Sequence, residues 1–369
     1  MDSIIARPRN RSLTEEKSQN HTMATAKKLS ANGAHVAAPQ KPKRNTPLGV
    51  IKLARLHTLE SLLCVYPAIW GACLSAGSHQ KVFTPSSFLS VLFANWISMT
   101  IAHMAFCTFN DIVDRNFDGK VERTKVRPLP SGMISLRAAI IAFIVEMALT
   151  VYISYITLGY HGALVCAPVW LASTIYPFMK RVVQWPQLVL GPVIGMAVFP
   201  GWVSVAGNLD TLQDAVPMML ATSTWVVYFD TIYATQDTKD DKKIGVKSLA
   251  VLFHNNMHQF LGFLGSIQIA LLSFTARRAN MSALFWSLGV CVWGLNIPFH
   301  LLSLDTKNPK TGGKVFLMNI LLGLWITVVA IIELWTTTVM HLDVNDFLLK
   351  TVVQNITVTA QNIRSSVAF

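Results

Sequence analysis

Apolar residues run along this chain in long blocks, broken by short polar loops. Nine blocks, near 59–76, 87–107, 135–158, 161–178, 187–206, 216–234, 256–276, 282–304 and 315–340, are each about 17–25 residues long. A helix of that length crosses the roughly 30 Å hydrocarbon layer of a bilayer, where every backbone polar group must be satisfied within the segment. The pattern predicts an all-α integral membrane protein, a bundle of about nine transmembrane helices with working loops on one face. No long polar segment divides it, so residues 47–340 read as one transmembrane domain. Residues 1–46 are polar and basic and read as a disordered arm, and 341–369 as a C-terminal tail.

Composition agrees: 52% of the 369 residues are hydrophobic, 14% are charged, and mean hydropathy is +0.44. The net charge of +12 is placed unevenly. With the amino end inside, the inner loops hold Arg115, Lys120, Arg123, Lys125 and Arg127, then Lys180 and Arg181, then Lys239, Lys242, Lys243 and Lys247, and finally Lys307, Lys310 and Lys314. The outer loops hold only Lys81, Arg277 and Arg278. This is positive-inside asymmetry, so the basic surplus points to topology and a lipid membrane and not to a nucleic acid partner. The five cysteines lie in or beside apolar runs without a CxxC pair, and read as small hydrophobes packed between helices.

Much of the acidic charge sits in two places, Asn110–Asp118 and Asp237–Asp241, each directly after an apolar block. Carboxylates beside hydrocarbon are costly unless a cation or partner compensates them. Asp111, Asp114 and Asp118 fall at i, i+3 and i+7, and Asp230, Asp237 and Asp241 at i, i+7 and i+11, so each set is expected on one face of a helix. Two such faces on the same membrane side suit Mg²⁺, which takes few carboxylates and completes its shell with substrate phosphates. A transporter is the rival reading, but transporters hold their charges near the midplane in broken helices. Basic residues nearby favour a diphosphate: Arg127 is fixed by the turn Arg127-Pro-Leu-Pro-Ser-Gly132, and Lys180 is preferred to Arg181. Ser135 is expected to cap the third span. Phe106, Trp225 and Tyr228 are aromatic candidates, by proximity, to face the site.

Taken together, Asn110-Asp111-x-x-Asp114-x-x-x-Asp118, Arg127-Pro-Leu-Pro-Ser-Gly132, Tyr176-x-x-x-Lys180 and Asp230-x-x-Tyr233-Ala-x-Gln236-Asp237-x-x-Asp240-Asp241 resemble the signatures of the UbiA-type intramembrane aromatic prenyltransferases. The resemblance runs from about residue 48 to 340. It implies Mg²⁺-dependent transfer of an isoprenoid from a prenyl diphosphate to an aromatic acceptor. By position, Asn110, Asp111, Asp114 and Asp118 would bind diphosphate through Mg²⁺. Asp237 and Asp241 would hold a second ion or take part in deprotonation, and Tyr176 and Lys180 would contact the diphosphate or assist its departure. Members acting on 4-hydroxybenzoate carry Arg-x-Asp-Lys-Pro before the first span; here the stretch is Arg55-Leu-His-Thr-Leu-Glu60. That departure looks more like the fungal meroterpenoid branch, which prenylates polyketide-derived phenolics, often with farnesyl. Arg55 is placed either to meet an acidic acceptor or to anchor the chain at the membrane surface. The implied setting is an endomembrane of ER type with the site facing the cytosol. The alternative is a ubiquinone-pathway 4-hydroxybenzoate polyprenyltransferase of the mitochondrial inner membrane.

Overall fold

The computed structural model describes residues 44–339. The basic arm up to residue 43, the tail from 341 and the side chain of Lys180 therefore lie outside the described residues. Among the described residues the chain is helical throughout, with no strand. A short helix α1 (Thr46–Leu53) leads through turns to α2 (Leu62–Ser78), α3 (Pro85–Asp118) and α4 (Leu136–Val182). Then come α5 (Gln187–Gly195) and α6 (Val198–Ala206), nearly continuous, and α7 (Val216–Ala234). The short helices α8 (Thr238–Ile244) and α9 (Leu249–Leu252) precede α10 (Met257–Arg278). A π-helical turn (Phe285–Cys291) opens α11 (Val292–Ser303), and α12 (Pro309–Leu334) ends in another (Trp335–Val339).

Local chemistry sets several helix starts. Thr84 and Ser135 sit in extended conformation and accept hydrogen bonds from Ser87 N and Ala138 N, while Pro85 and Pro309 occupy first-turn positions where no N–H is needed. The expected cap at Ser135 is thus present. At 47 residues α4 is about twice the length of one crossing, and it breaks at Gly159, whose φ of 72° and ψ of −178° suit only glycine.

Among the described residues, six helices are long and apolar enough to cross a membrane. The 17-residue α2 is apolar but shorter. The 19-residue α7 is not among the six; Thr, Tyr, Trp and Asp230 dilute its apolar character, and most of it is buried inside the bundle. Large apolar side chains on the outer surface, such as Ile141, Ile144, Tyr155 and Leu171 of α4 and Leu302 of α11, present the bundle to lipid.

Close packing in lipid depends on small residues and internal hydrogen bonds, because burial of apolar surface gives no net drive there. A Cβ on Gly201 of α6 would stand 1.8 Å from the carbonyl oxygen of Ala68 on α2, so these two helices meet backbone to backbone. At the centre three indoles cluster, Trp70 of α2, Trp225 of α7 and Trp293 of α11, with ring centroids 5.4–5.9 Å apart. Each indole N–H is satisfied: Trp70 by Thr327 Oγ1 at 2.9 Å, Trp225 by Asn319 Oδ1 at 3.0 Å and Trp293 by Gln268 Oε1 at 3.1 Å. Five helices are pinned by this one polar-aromatic knot.

The contact at Gly201 yields a test. Gly201→Ala should sharply reduce the yield of monodisperse protein and its melting temperature. Gly262→Ala, where the nearest atom to a new Cβ is Leu301 Cδ1 at 3.8 Å, should be tolerated.

Candidate active site

The two acidic segments open into one cavity of about 360 Å³ at one end of the bundle. From α3, Asn110, Asp114 and Asp118 line it; from α7 and the segment after it come Asp230, Asp237 and Asp241; Tyr176 and Arg181 come from the end of α4. Asp111 stands behind this wall, fully buried. Towards the bundle interior the lining turns apolar, with Met99, Phe106, Trp170, Ile194, Phe229 and Phe316 among its residues.

On α3 the helical register acts as the spacing requires, because the helix runs unbroken to Asp118 and buries Asp111, Asp114 and Asp118 on one side. The second segment differs from expectation. The helix ends at Ala234, turns through 235–237, and restarts at Thr238. Asp230, Asp237 and Asp241 share the cavity through this turn and not by a common helical face.

Arginines hold the carboxylates. Asp111 Oδ1 accepts from Arg55 Nη2 at 2.8 Å and from Arg127 Nη1 at 3.2 Å, and the same Arg127 nitrogen donates to Asp118 Oδ2 at 2.9 Å. Arg181 donates to Asp114 Oδ1 at 3.4 Å and to the Val113 carbonyl at 2.9 Å, with its guanidinium 4.6 Å from the Phe117 ring centroid. Across the cavity Arg123 grips Asp237 through Nε and Nη2, donates from Nη1 to the Tyr233 hydroxyl at 2.9 Å, and lies over that ring. Arg123 thereby ties the loop after α3 to the segment after α7. Burial works against the charge on Arg127, but Asp111 and Asp118 outweigh it and hold its pKa above the ordinary arginine value. For Arg123 burial is likewise outweighed, chiefly by the hydrogen bond to Asp237, and its pKa is raised as well. Both stay cationic at any working pH.

Several sequence expectations are redirected here. Arg55 lines the cavity but spends its guanidinium on Asp111, with Glu60 also 3.6 Å away, which makes it part of the acidic cluster's support. Arg181, passed over for Lys180, contacts Asp114. In sequence Arg123 is one charge in a topological run; nothing in its local sequence sets it apart, since its partner is 114 residues away. Phe106 does line the cavity, whereas Trp225 and Tyr228 are buried core residues away from its wall. Cys73 is buried between helices, Cys64, Cys107 and Cys166 line the cavity, and Cys291 faces outward; all five are free thiols.

Among the described residues, no three carboxylate, imidazole or thiol side chains close into a ready-made metal cage. The donor set instead fits a hard ion that takes single carboxylates from each wall and further oxygens from a bound phosphate. The buried Asp111 Oδ2 accepts no hydrogen bond, so lone pairs remain available in the cluster.

This architecture is a known one. Residues 64–344 match the UbiA prenyltransferase family model. A polyprenyl transferase of Arthrobotrys oligospora is 90% identical over 369 residues, covering 100% of both chains. Among solved structures, the apo form of a UbiA homolog from Aeropyrum pernix K1 has a TM-score of 0.64 at 24% identity, over 74% of this chain and 98% of its own. A UbiA homolog from Archaeoglobus fulgidus bound to GPP and Mg²⁺ has a TM-score of 0.52 at 16% identity, over 76% of this chain and 99% of its own. At these identities the structural likeness concerns the fold. The chain belongs to the UbiA prenyltransferase family. It is a multi-pass membrane prenyltransferase.

The bridge between the two segments is open to a double-mutant cycle. Arg123→Ala and Asp237→Asn should each lower the melting temperature, and the double variant should lose less than their sum. The expected coupling is about 1 kcal/mol, within the range for residues in direct contact. Strict additivity would mean that the pair does not join the segments.

Proposed function

We propose that the protein transfers a prenyl group, farnesyl by preference, from its diphosphate to an aromatic acceptor of polyketide type, in meroterpenoid biosynthesis. The observation that carries this reading is the convergence of two carboxylate segments on a cavity whose depth is apolar and aromatic. The polar mouth suits a diphosphate and the apolar depth an isoprenoid chain. The bound GPP and Mg²⁺ of the Archaeoglobus fulgidus homolog support the same assignment.

In this reading Asp114, Asp118, Asp237 and Asp241, with Asp111 behind them, would hold Mg²⁺, and Asn110, Tyr176 and Arg127 would hold the diphosphate. Lys180 belongs to the same proposed set by sequence position. Magnesium, when bound, neutralises charge developing on the departing diphosphate. The chain's own residues do the rest. Arg181 and Arg123 stand at the rim and add charge-assisted hydrogen bonds to anionic oxygens. Arg55 and Arg127 hold Asp111 and Asp118 in orientation by hydrogen bonds. Phe106, Trp170, Phe229 and Phe316 offer π-faces near the path of the allylic chain, each worth about 0.5–2 kcal/mol to a cation. The apolar lining keeps water from capturing that cation.

The same reading takes α2, α3, the two halves of α4, α5–α6, α7, α10, α11 and α12 as nine crossings. The basic loops and the cavity mouth would face the cytosol, from an endomembrane of ER type. Positive-inside asymmetry supports that orientation.

Membranes carrying the protein should convert farnesyl diphosphate and a phenolic acid to a product heavier by one farnesyl group. Geranyl and geranylgeranyl diphosphate should react more slowly, and a chelator should stop the reaction. Asp114→Asn should cut turnover by at least about 10²-fold, the scale for losing one well-placed electrostatic group, with the protein still inserted. A reaction indifferent to chelator would refute the metal assignment. A product only with 4-hydroxybenzoate would move the protein to quinone biosynthesis.

A further inference from the structure

The cavity-facing side of α3 has a graded order. From the mouth inward come Asp118, Asp114, Asn110, Cys107, His103 and Met99, so charge gives way to hydrocarbon within a few turns. His103 breaks the gradient. It stands two turns inward of Asn110, at the inner edge of the arginine–carboxylate layer and within electrostatic reach of Arg55, where the lining turns apolar, and it is the one histidine among the described lining residues. A polar ring in such surroundings is costly unless it has a partner. Its protein contact is poor: the Cys107 thiol lies 3.4 Å from Nε2 and 3.9 Å from Nδ1, and a thiol is a weak hydrogen-bonding group. The imidazole is only partly buried, with its remaining surface towards the cavity.

Its distance from the mouth is informative. Seven residues separate His103 from Asn110, about 10 Å along the helix axis. An isoprenoid whose phosphates sit among Asn110, Asp114 and Asp118 runs inward from there. An axial span of that size has room for one aromatic ring between the phosphate-binding residues and the imidazole, allowing about 3 Å from C1 to a reacting carbon and about 3 Å for a hydrogen bond to the imidazole.

We infer that His103 is the acceptor-side catalytic residue, binding the phenolic hydroxyl of the aromatic acceptor and taking its proton as the ring attacks. This rests on the prenyl-transfer reading above and adds the acceptor's position and its base. In the step, a ring carbon forms a bond to C1 of the isoprenoid and the C1–O bond breaks. Diphosphate leaves with the bonding pair, and the phenolic proton passes to His103. The resulting dienone then loses its ring hydrogen as a proton and regains one on oxygen from His103, so that one proton and one diphosphate are released per transfer. The carboxylates are left to hold the diphosphate.

The experiment compares wild type, His103→Ala and His103→Gln with one phenolic acceptor and its O-methyl ether, which has no phenolic proton. Wild type should favour the phenol over the ether at least about tenfold in kcat/KM. His103→Ala should bring the two acceptors within about threefold of each other. His103→Gln keeps a hydrogen-bonding side chain without a proton acceptor. It should hold the phenol's KM within about threefold and lose about 10²-fold in kcat, the lower end for general-base removal. In both variants the KM for prenyl diphosphate and the melting temperature should stay near wild type. Unchanged phenol–ether discrimination in His103→Ala overturns the inference, as does equal loss of affinity for both substrates. Both of those results leave prenyl transfer standing. If wild type transfers no prenyl group to any phenol, the reading beneath falls, and this inference with it.

Discussion

Several carboxylates gathered beside hydrocarbon cannot stay ionised without cations, and the arrangement around this cavity follows from that constraint. Removing a carboxylate from water costs several kcal/mol even after relaxation. Arg55 and Arg127 meet that cost for Asp111 and Asp118, Arg181 for Asp114, and Arg123 for Asp237. The loop carrying Arg123 and Arg127 is therefore part of the site. It is tied to the end of α3 by the Thr124 hydroxyl on the Asp118 carbonyl, and to the far wall by Arg123. A cluster whose charges are already paired and in place needs little reorganisation when charge moves within the cavity.

The bundle that holds this cluster is built by a different force. Between helices in lipid, packing and internal hydrogen bonds replace hydrophobic collapse. The knot of Trp70, Trp225 and Trp293 fixes α2, α7 and α11 against one another, and its hydrogen-bond partners come from α10 and α12. Deeper in the bundle α3 is joined to its neighbours by Asn95 with Ser204 and by Ser98 with Thr157, both part-buried. These bonds lie below the acidic layer and join α3 to α6 and α4. Interhelical hydrogen bonds thus lie within the apolar part of the bundle, and charge where the helices end.

Much of the fold was legible because its cause is local. A run of about 20 apolar residues needs a helix to satisfy its backbone in lipid, whatever its neighbours. Ser135 caps its helix because serine before an apolar run does so by its own geometry. The face formed by Asp111, Asp114 and Asp118 followed from helical period alone. The same argument failed for Asp230, Asp237 and Asp241, where the chain turns at 235–237; the three reach one cavity by a route that period does not encode. Trp225 and Tyr228 misled for a related reason. Adjacency in sequence to an acidic motif says nothing about which side of a mostly buried helix an aromatic ring occupies.

The sequence by itself determined that this is a membrane bundle, that an acidic segment follows each of two apolar runs, and that Asp111, Asp114 and Asp118 share one helical face. Those properties depend on residue type, run length and short-range period. Only the tertiary structure decided which arginine meets which carboxylate, that Arg123 bridges segments 114 residues apart, and that His103 looks into the cavity where the lining turns apolar. Such pairings depend on helix rotation and crossing, which are set by many weak contacts summed over the whole bundle, and no single stretch of chain carries that sum.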